Sequence, residues 1–387
     1  MFKPGLEVFF AQRHSKKLRV AAATNFTGRN RQGEHLVNLL ACHPSFELVR
    51  IFTPEHGFTS DAPDGEHVAD SHHAELEVPV VSLYGEQKKP ALHLLTDLDA
   101  VIYDIQDVGV RFYTYISTLR NIMEVANEAG TSLWILDRPD ILGGVEVEGP
   151  MLVPEFSSFV GHLPVPIRYG LTPGELALWW KAEAKLGLEV KVWKCEDYCC
   201  SNSHPVPDFP WFKPSPSMPD TITAQFYPGT CLFEGTQISE GRGTEAPFRT
   251  FGAPWVDATS WASHLQTIIS PEIKVQTCSF TPTFSKFEGC LCHGVRLSTG
   301  EPIVKNAVEM AIATIYSFMQ THPDKIEFTD RPNLKHPFFD YLCGTDMIRK
   351  GLVKNDKPKT IINSCKTETE EFKQSRKNFF LYPRTAA

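Results

Sequence analysis

The first 140 residues alternate short apolar runs with amphipathic stretches, and that rhythm restricts the chain more than any other feature of its sequence. Arg19 to Thr24, Glu47 to Thr53, Val78 to Leu83, Ala100 to Ile105 and Ser132 to Leu136 read as strands. Val101-Ile102-Tyr103 lacks the alternation of a strand with one wet face, so it suits a strand covered on both sides. Between the strands, Glu34 to His43 and Phe112 to Gly130 show helical spacing, the second through Phe112, Tyr115, Ile116, Leu119, Ile122, Met123 and Ala126. Gly130 stands where a left-handed residue ends a helix. Strand–helix alternation of this kind predicts a doubly wound α/β domain with a parallel sheet and helices on both faces.

The rest of the chain reads differently. Proline is dense from Pro139 to Pro166 and from Pro205 to Pro254, which predicts structured loops. Between them Thr172-Pro173-Gly174-Glu175 opens a helix reaching about Leu186, with Thr172 as cap, Pro173 in the first turn and Glu175 closing a capping box. A strand at Glu189 to Trp193 follows, then a strand around Gly294 to Leu297, a helix near Ile303 to Met319, and a closing Phe379-Phe380-Leu381-Tyr382. The chain is expected to divide near residue 165, into a doubly wound domain over 1–165 and a smaller α+β domain over 166–387.

Composition excludes several functions. With 38 basic and 46 acidic residues the formal charge is −8, which offers no general attraction for nucleic acid or anionic lipid. At 42% apolar and 22% charged residues, wholesale disorder is excluded. No apolar run approaches the ~20 residues that span a bilayer. The opening Met-Phe-Lys-Pro-Gly-Leu-Glu-Val-Phe-Phe does not read as an export leader, so a cytoplasmic location is expected. Cys195, Cys199, Cys200 and His204, and likewise Cys290, Cys292 and His293, lie close in sequence, but adjacent cysteines seldom ligate one tetrahedral ion. Reduced thiols and no metal site are the expectation.

In open parallel sheets, ligands bind beyond the carboxyl ends of the strands, at the point where strand order reverses. Here those ends are polar: Thr24-Asn25, Pro54-Glu55-His56-Gly57, Asp104-Ile105-Gln106-Asp107 with Arg111, and Asp137-Arg138-Pro139. They are expected to converge on one crevice. Gly28 follows the first strand without the G-x-G-x-x-G pattern, so no dinucleotide, and no other cofactor, is expected. His67, His72 and His73 with Asp70 have irregular spacing and read as a solvated loop. Carboxyl pairs whose surroundings push their pKa values apart divide into acid and ionised partner, the arrangement that glycoside hydrolysis uses. Tyr113 could pack on a sugar face, whereas Tyr115 reads as core.

Longer motifs narrow the choice. Pro54-Glu55-His56-Gly57-Phe58, Ser82-Leu83-Tyr84-Gly85, the run Tyr103-Asp104-Ile105-Gln106-Asp107-Val108-Gly109-Val110-Arg111-Phe112-Tyr113-Thr114-Tyr115 and Leu136-Asp137-Arg138-Pro139 resemble the NamZ-type exo-β-N-acetylmuramidases. So do Val147-Glu148-Gly149-Pro150, Ser158-Phe159-Val160-Gly161, Gly170-Leu171-Thr172-Pro173-Gly174-Glu175, Phe233-Glu234-Gly235-Thr236 and Ser239-Glu240-Gly241-Arg242-Gly243-Thr244. The resemblance runs from about residue 20 to 382. It implies release of N-acetylmuramic acid from the non-reducing end of peptidoglycan fragments, by a Rossmann-like first subdomain and a second one with the active-site cleft between them. It also implies that Glu55 is the leading catalytic residue.

On these grounds Glu55 is the expected general acid, adjusted by His56, with Asp104 or Glu240 as second carboxylate. Asn25, Tyr84, Gln106, Asp107, Arg111, Tyr113, Asp137, Arg138, Glu148 and Arg242 are the expected substrate contacts. Arg242, Arg111 or Arg138 is expected to pair with the lactyl carboxylate of muramic acid, ion pairs with Asp107 or Asp137 being the structural alternative. The expected partner is a muramyl-terminated glycan or muropeptide, with oligomeric state open. Two rival readings remain: a sugar-binding protein without turnover, and metal-assisted hydrolysis through Asp104, Asp107 and His56. Asp140, Ser217 and Gln237 stand where the family pattern has asparagines, a departure expected to bear on substrate preference.

Overall fold

In the computed structural model, which describes residues 1–385 except 15, 64, 67, 68 and 202–207, a seven-stranded sheet organises the first half of the chain. Its strands are β1 (Leu18–Thr24), β2 (Phe46–Thr53), β3 (Ser71–His72), β4 (Pro79–Ser82), β5 (Ala100–Asp104), β6 (Ser132–Leu136) and β7 (Val190–Trp193). They lie in the order β3-β4-β2-β1-β5-β6-β7. All neighbours are parallel except the two-residue β3, which runs against β4. Without β3 this is the Rossmann order, reversing between β1 and β5.

Alternate residues of each strand feed opposite layers. Val20, Ala22, Ile51, Ala100, Ile102 and Trp134 face a layer containing Leu6 and Phe9 of α1 (Gly5–Phe10) and Leu36, Val37 and Leu40 of α2 (Leu36–Cys42). Ala21, Ala23, Phe52, Val101, Tyr103 and Leu133 face the other, against Leu119, Ile122, Met123 and Ala126 of α3 (Tyr115–Ala129). This double burial is why the β5 sequence shows no alternation. Gly130 ends α3 at φ 70°, and Thr172 and Glu175 form the expected capping box on α4 (Pro173–Glu183).

A division at residue 165 corresponds to no gap in the packing. The strand Val190–Trp193 follows it yet completes the first sheet beside β6. Proline density marked irregular backbone there, not a boundary. Next, β8 (Cys200–Ser201) pairs with the C-terminal β12 (Arg384–Thr385). The second half then runs through α5 (Thr221–Thr230) and an antiparallel sheet β10-β11-β9, formed by β9 (Thr250–Ala253), β10 (Ile273–Phe280) and β11 (Cys292–Thr299). Around these lie α6 (Ala258–Ile268), α7 (Ala307–Thr321), α8 (Phe338–Cys343), α9 (Met347–Val353), α10 (Pro358–Asn363) and α11 (Lys366–Ser375).

The two halves share one apolar core, in which Tyr103 and Ile105 belong to the same cluster as Phe226, Phe233, Ile312 and Phe338. Arg111 bolts them together. It is fully buried, and its guanidinium donates to the carbonyls of Pro150 (2.8 Å), Val165 (2.8 Å), Leu342 (3.2 Å) and Cys343 (2.6 Å). Gly344 ends α8 at φ 72°, and a Cβ there would meet the Arg111 guanidinium at 2.4 Å. Only glycine satisfies both demands.

Candidate active site

A cleft of about 370 Å³ opens between the halves. Glu55, His56, Tyr84, Tyr113 and Thr114 line it from the first half, and Tyr227, Glu234 and Arg242 from the second. It lies over the ends of β2 and β4, not over the reversal point between β1 and β5.

The turn that follows β2 presents Glu55. His56 and Gly57 are consecutive left-handed residues, at φ 70° and 71°, so the chain reverses sharply directly after the glutamate. The His56 Nδ1–H donates to the carbonyl of Ala62 at 2.8 Å and anchors that turn. Glu55 is 8% exposed. Its Oε2 accepts from the Thr114 hydroxyl at 2.6 Å and its Oε1 from the Gly65 amide at 3.1 Å. Thr114 occupies the N-cap position of α3 without capping it. Its hydroxyl goes to Glu55 instead, a local rule broken in favour of the site.

The opposite wall is an ionic cluster. Arg242 Nη2 meets Glu234 Oε1 at 2.7 Å and Arg242 Nε meets Glu240 Oε1 at 3.3 Å, while the guanidinium lies 4.8 Å from the Phe248 ring centre. Lys286 Nζ contacts the other oxygen of Glu240 at 2.9 Å and donates to the carbonyls of Phe233 (2.8 Å) and Ile238 (3.1 Å). Glu240 is therefore a brace behind Arg242 and does not line the cleft, contrary to its expected catalytic place. Glu234, quoted above only within a motif, is the carboxylate this wall presents. Its spacing before Arg242 was the available signal. Tyr113 packs edge-on against Tyr115 and Tyr227, and Tyr84 tilts against Phe159. Tyr115 is buried, as its helical position implies.

The reversal point is filled from within. Both oxygens of Asp104 are taken by Arg138, at 2.6 and 2.8 Å, and neither residue is more than 2% exposed. Asn25 Oδ1 accepts from the amide (3.1 Å) and hydroxyl (2.6 Å) of Thr27, and its carbonyl accepts from His35. The Gln106 amide donates to the carbonyls of Asp107 and Pro139. Only about 20 Å³ remains there, under Phe209 and Phe212.

The other expected contacts are also committed to the fold. Asp107 accepts from the Tyr169 hydroxyl and the Gly109 amide, while burial pushes its carboxyl up to about 7. Asp137 accepts from Tyr382, Thr172 and the Gly174 amide, and burial pushes it to about 7 as well. Glu148 pairs with Arg168 at 2.7 Å. Together with Arg111, these residues lie outside the cleft lining, each held by internal partners.

The departures at Asp140, Ser217 and Gln237 lie off the cleft as well. Asp140 Oδ1 accepts from the Leu142 amide at 2.8 Å, Ser217 is buried, and Gln237 accepts from the Glu327 amide.

All ten cysteines are free thiols. Among the described residues, no group of three or more His, Cys, Asp or Glu side chains is arranged to hold a metal ion, and no helix is long and apolar enough to cross a membrane. His67 and His204 lie outside the described residues.

Known proteins resemble the chain over nearly its whole length. The pattern of the N-terminal part of exo-beta-N-acetylmuramidase NamZ matches residues 20–222, and that of its C-terminal part residues 225–382, a junction at the start of α5. The peptidoglycan beta-N-acetylmuramidase NamZ of Bacillus subtilis (strain 168) is 38% identical over 367 residues, which cover 95% of this chain and 87% of that protein. A DUF1343 family protein of Bacteroides fragilis NCTC 9343 superposes with a TM-score of 0.87 at 28% identity, covering 98% of this chain and 99% of its own. A second from the same organism gives 0.78 at 32% identity, with both chains fully covered. Fold, cleft and sequence thus agree, and the chain belongs to the NamZ exo-β-N-acetylmuramidases, a family of glycoside hydrolases.

Proposed function

We propose that the protein releases N-acetylmuramic acid from the non-reducing end of peptidoglycan fragments, with Glu55 as general acid. The observation that carries this reading is the position of Glu55: in an open cleft that a second carboxylate lines from the other half, and held, among the described residues, by donors that a carboxylate welcomes. As the glycosidic bond breaks, Glu55 gives its proton to the departing sugar oxygen. The Thr114 hydroxyl and Gly65 amide are already aimed at the carboxylate that this transfer creates, so its negative charge is met without reorganisation. Glu234, ion-paired with Arg242, takes the second carboxyl position, where its charge favours an oxocarbenium-like transition state. His56 acts indirectly, by fixing the turn that aims its neighbour. Tyr113 and Tyr227 offer aromatic surface for a sugar ring.

The test is turnover of 4-nitrophenyl β-N-acetylmuramide beside the corresponding β-N-acetylglucosaminide. Strong preference for the muramide is expected. Equal rates, or no 4-nitrophenolate from the muramide, would refute the assignment.

A further inference from the structure

N-acetylmuramic acid differs from N-acetylglucosamine by a lactyl ether whose carboxylate is ionised at neutral pH. A cleft selecting it needs a cation that is not already spent on the protein. Arg111 and Arg138 are consumed by the fold, and Arg242 is engaged by Glu234 and Glu240. Two other cations line the cleft, Lys88 from the first half and Arg331 from the second, and both are exposed. Among the described residues, neither has a carboxylate within ion-pair distance; their charged groups lie on aromatic rings instead.

Geometry separates the two. The Arg331 guanidinium lies 3.3 Å from the ring centre of Phe338, which is 3% exposed and opens α8. Stacking occupies the face of a guanidinium and leaves its in-plane N–H groups available, in the fork that matches both oxygens of a carboxylate. Phe338 cannot drift, because the end of its helix is held through the Leu342 and Cys343 carbonyls by Arg111. Lys88 Nζ lies 4.8 Å from the Phe159 ring and is a single compact charge on a flexible stem.

We infer that Arg331, stacked on Phe338, is the residue that binds the lactyl carboxylate and so selects muramic acid over glucosamine, with Lys88 adding positive potential from the facing wall. This rests on the muramidase reading.

The test crosses enzyme with substrate: wild type and Arg331→Met, each assayed on 4-nitrophenyl β-N-acetylmuramide and on its lactyl methyl ester. Esterification should lower kcat/KM of the wild type about 10- to 100-fold, the effect of one charge-assisted fork. Arg331→Met should show that same loss on the free acid and no further loss on the ester. Arg331→Lys should recover part of the activity on the acid. Equal losses on both substrates, full activity of Arg331→Met on the acid, or a wild type indifferent to esterification would each overturn the inference while leaving the muramidase reading intact. A wild type inert on the muramide would instead refute that reading, and the inference with it.

Discussion

At the carboxyl edge of the main sheet, the ends of β1 and β5 carry much the same chemistry as the ends of β2 and β4, with carboxylates, an imidazole and hydroxyls in both places. The difference lies in who answers them. Where β1 meets β5, Asp104 meets Arg138 in a closed two-oxygen pair and His35 spends a ring nitrogen on the Asn25 carbonyl, so the carboxylate and the imidazole are both answered from within the fold. Burial lowers the His35 pKa to about 4, which keeps that imidazole neutral. Beyond β2, the partners of Glu55 among the described residues are a hydroxyl and an amide, which hold a carboxylate in place without neutralising it. Polar residues at strand ends thus serve as mortar in one place and, on the proposed reading, as a reagent in the other, and the partner decides which.

The sharpest way to break this contrast is Glu55→Gln. An isosteric amide keeps the shape and removes the proton, so kcat should fall about 10³-fold with thermal stability little changed; near-normal turnover would move the reagent elsewhere. The converse substitution is Asp104→Ala. It strands a buried guanidinium and should cost about 3 kcal/mol or more in denaturant unfolding, with turnover per folded molecule preserved at low temperature. If turnover vanished while the midpoint held, the reversal point would be a working site.

Thr114→Val sharpens the picture by removing one of the two donors to Glu55. About a tenfold fall in kcat is expected, with KM nearly constant, because the missing hydrogen bond matters most as the carboxylate forms. The smallest effect should come from Asp140→Asn. Burial raises the Asp140 pKa in the folded chain. The acid therefore contributes stability fully below its unfolded pKa and loses that contribution as pH rises through the folded value. The amide cannot ionise, so the variant should gain on the wild type by about 1 kcal/mol near pH 7.5 and lose this advantage toward pH 4. A gain independent of pH would show that charge is not its cause.

Much of this architecture is legible in the residues. Ser132 to Leu136 is a strand as expected, and the ends of β1, β2 and β5 fall within a residue of their expected positions, because apolar runs between turn signals are local information. The capping box at Thr172 is read within four residues and is found in place. What local patterns do not hold is pairing across the chain. Arg138 reaching Asp104, Lys286 reaching Glu240, and β7 joining the sheet from beyond residue 165 each depend on how distant segments pack. Hence Glu55 and Tyr84, read from the ends of their own strands, fall on the cleft wall, whereas the ion pairs that occupy Asp104 and Glu240 are visible only once their partners are placed. Glu234 was hidden for the opposite reason: its motif names it without showing which way its short 3-10 helix faces.

The Arg111 bolt has one more implication. A guanidinium holding two carbonyls on each side of the seam ties the segments around Pro150 and Val165 to the end of α8, whose first residue, Phe338, lines the cleft. Parting the two halves there would break four hydrogen bonds and strand a buried charge, so the width of the slot is tied to the integrity of the core.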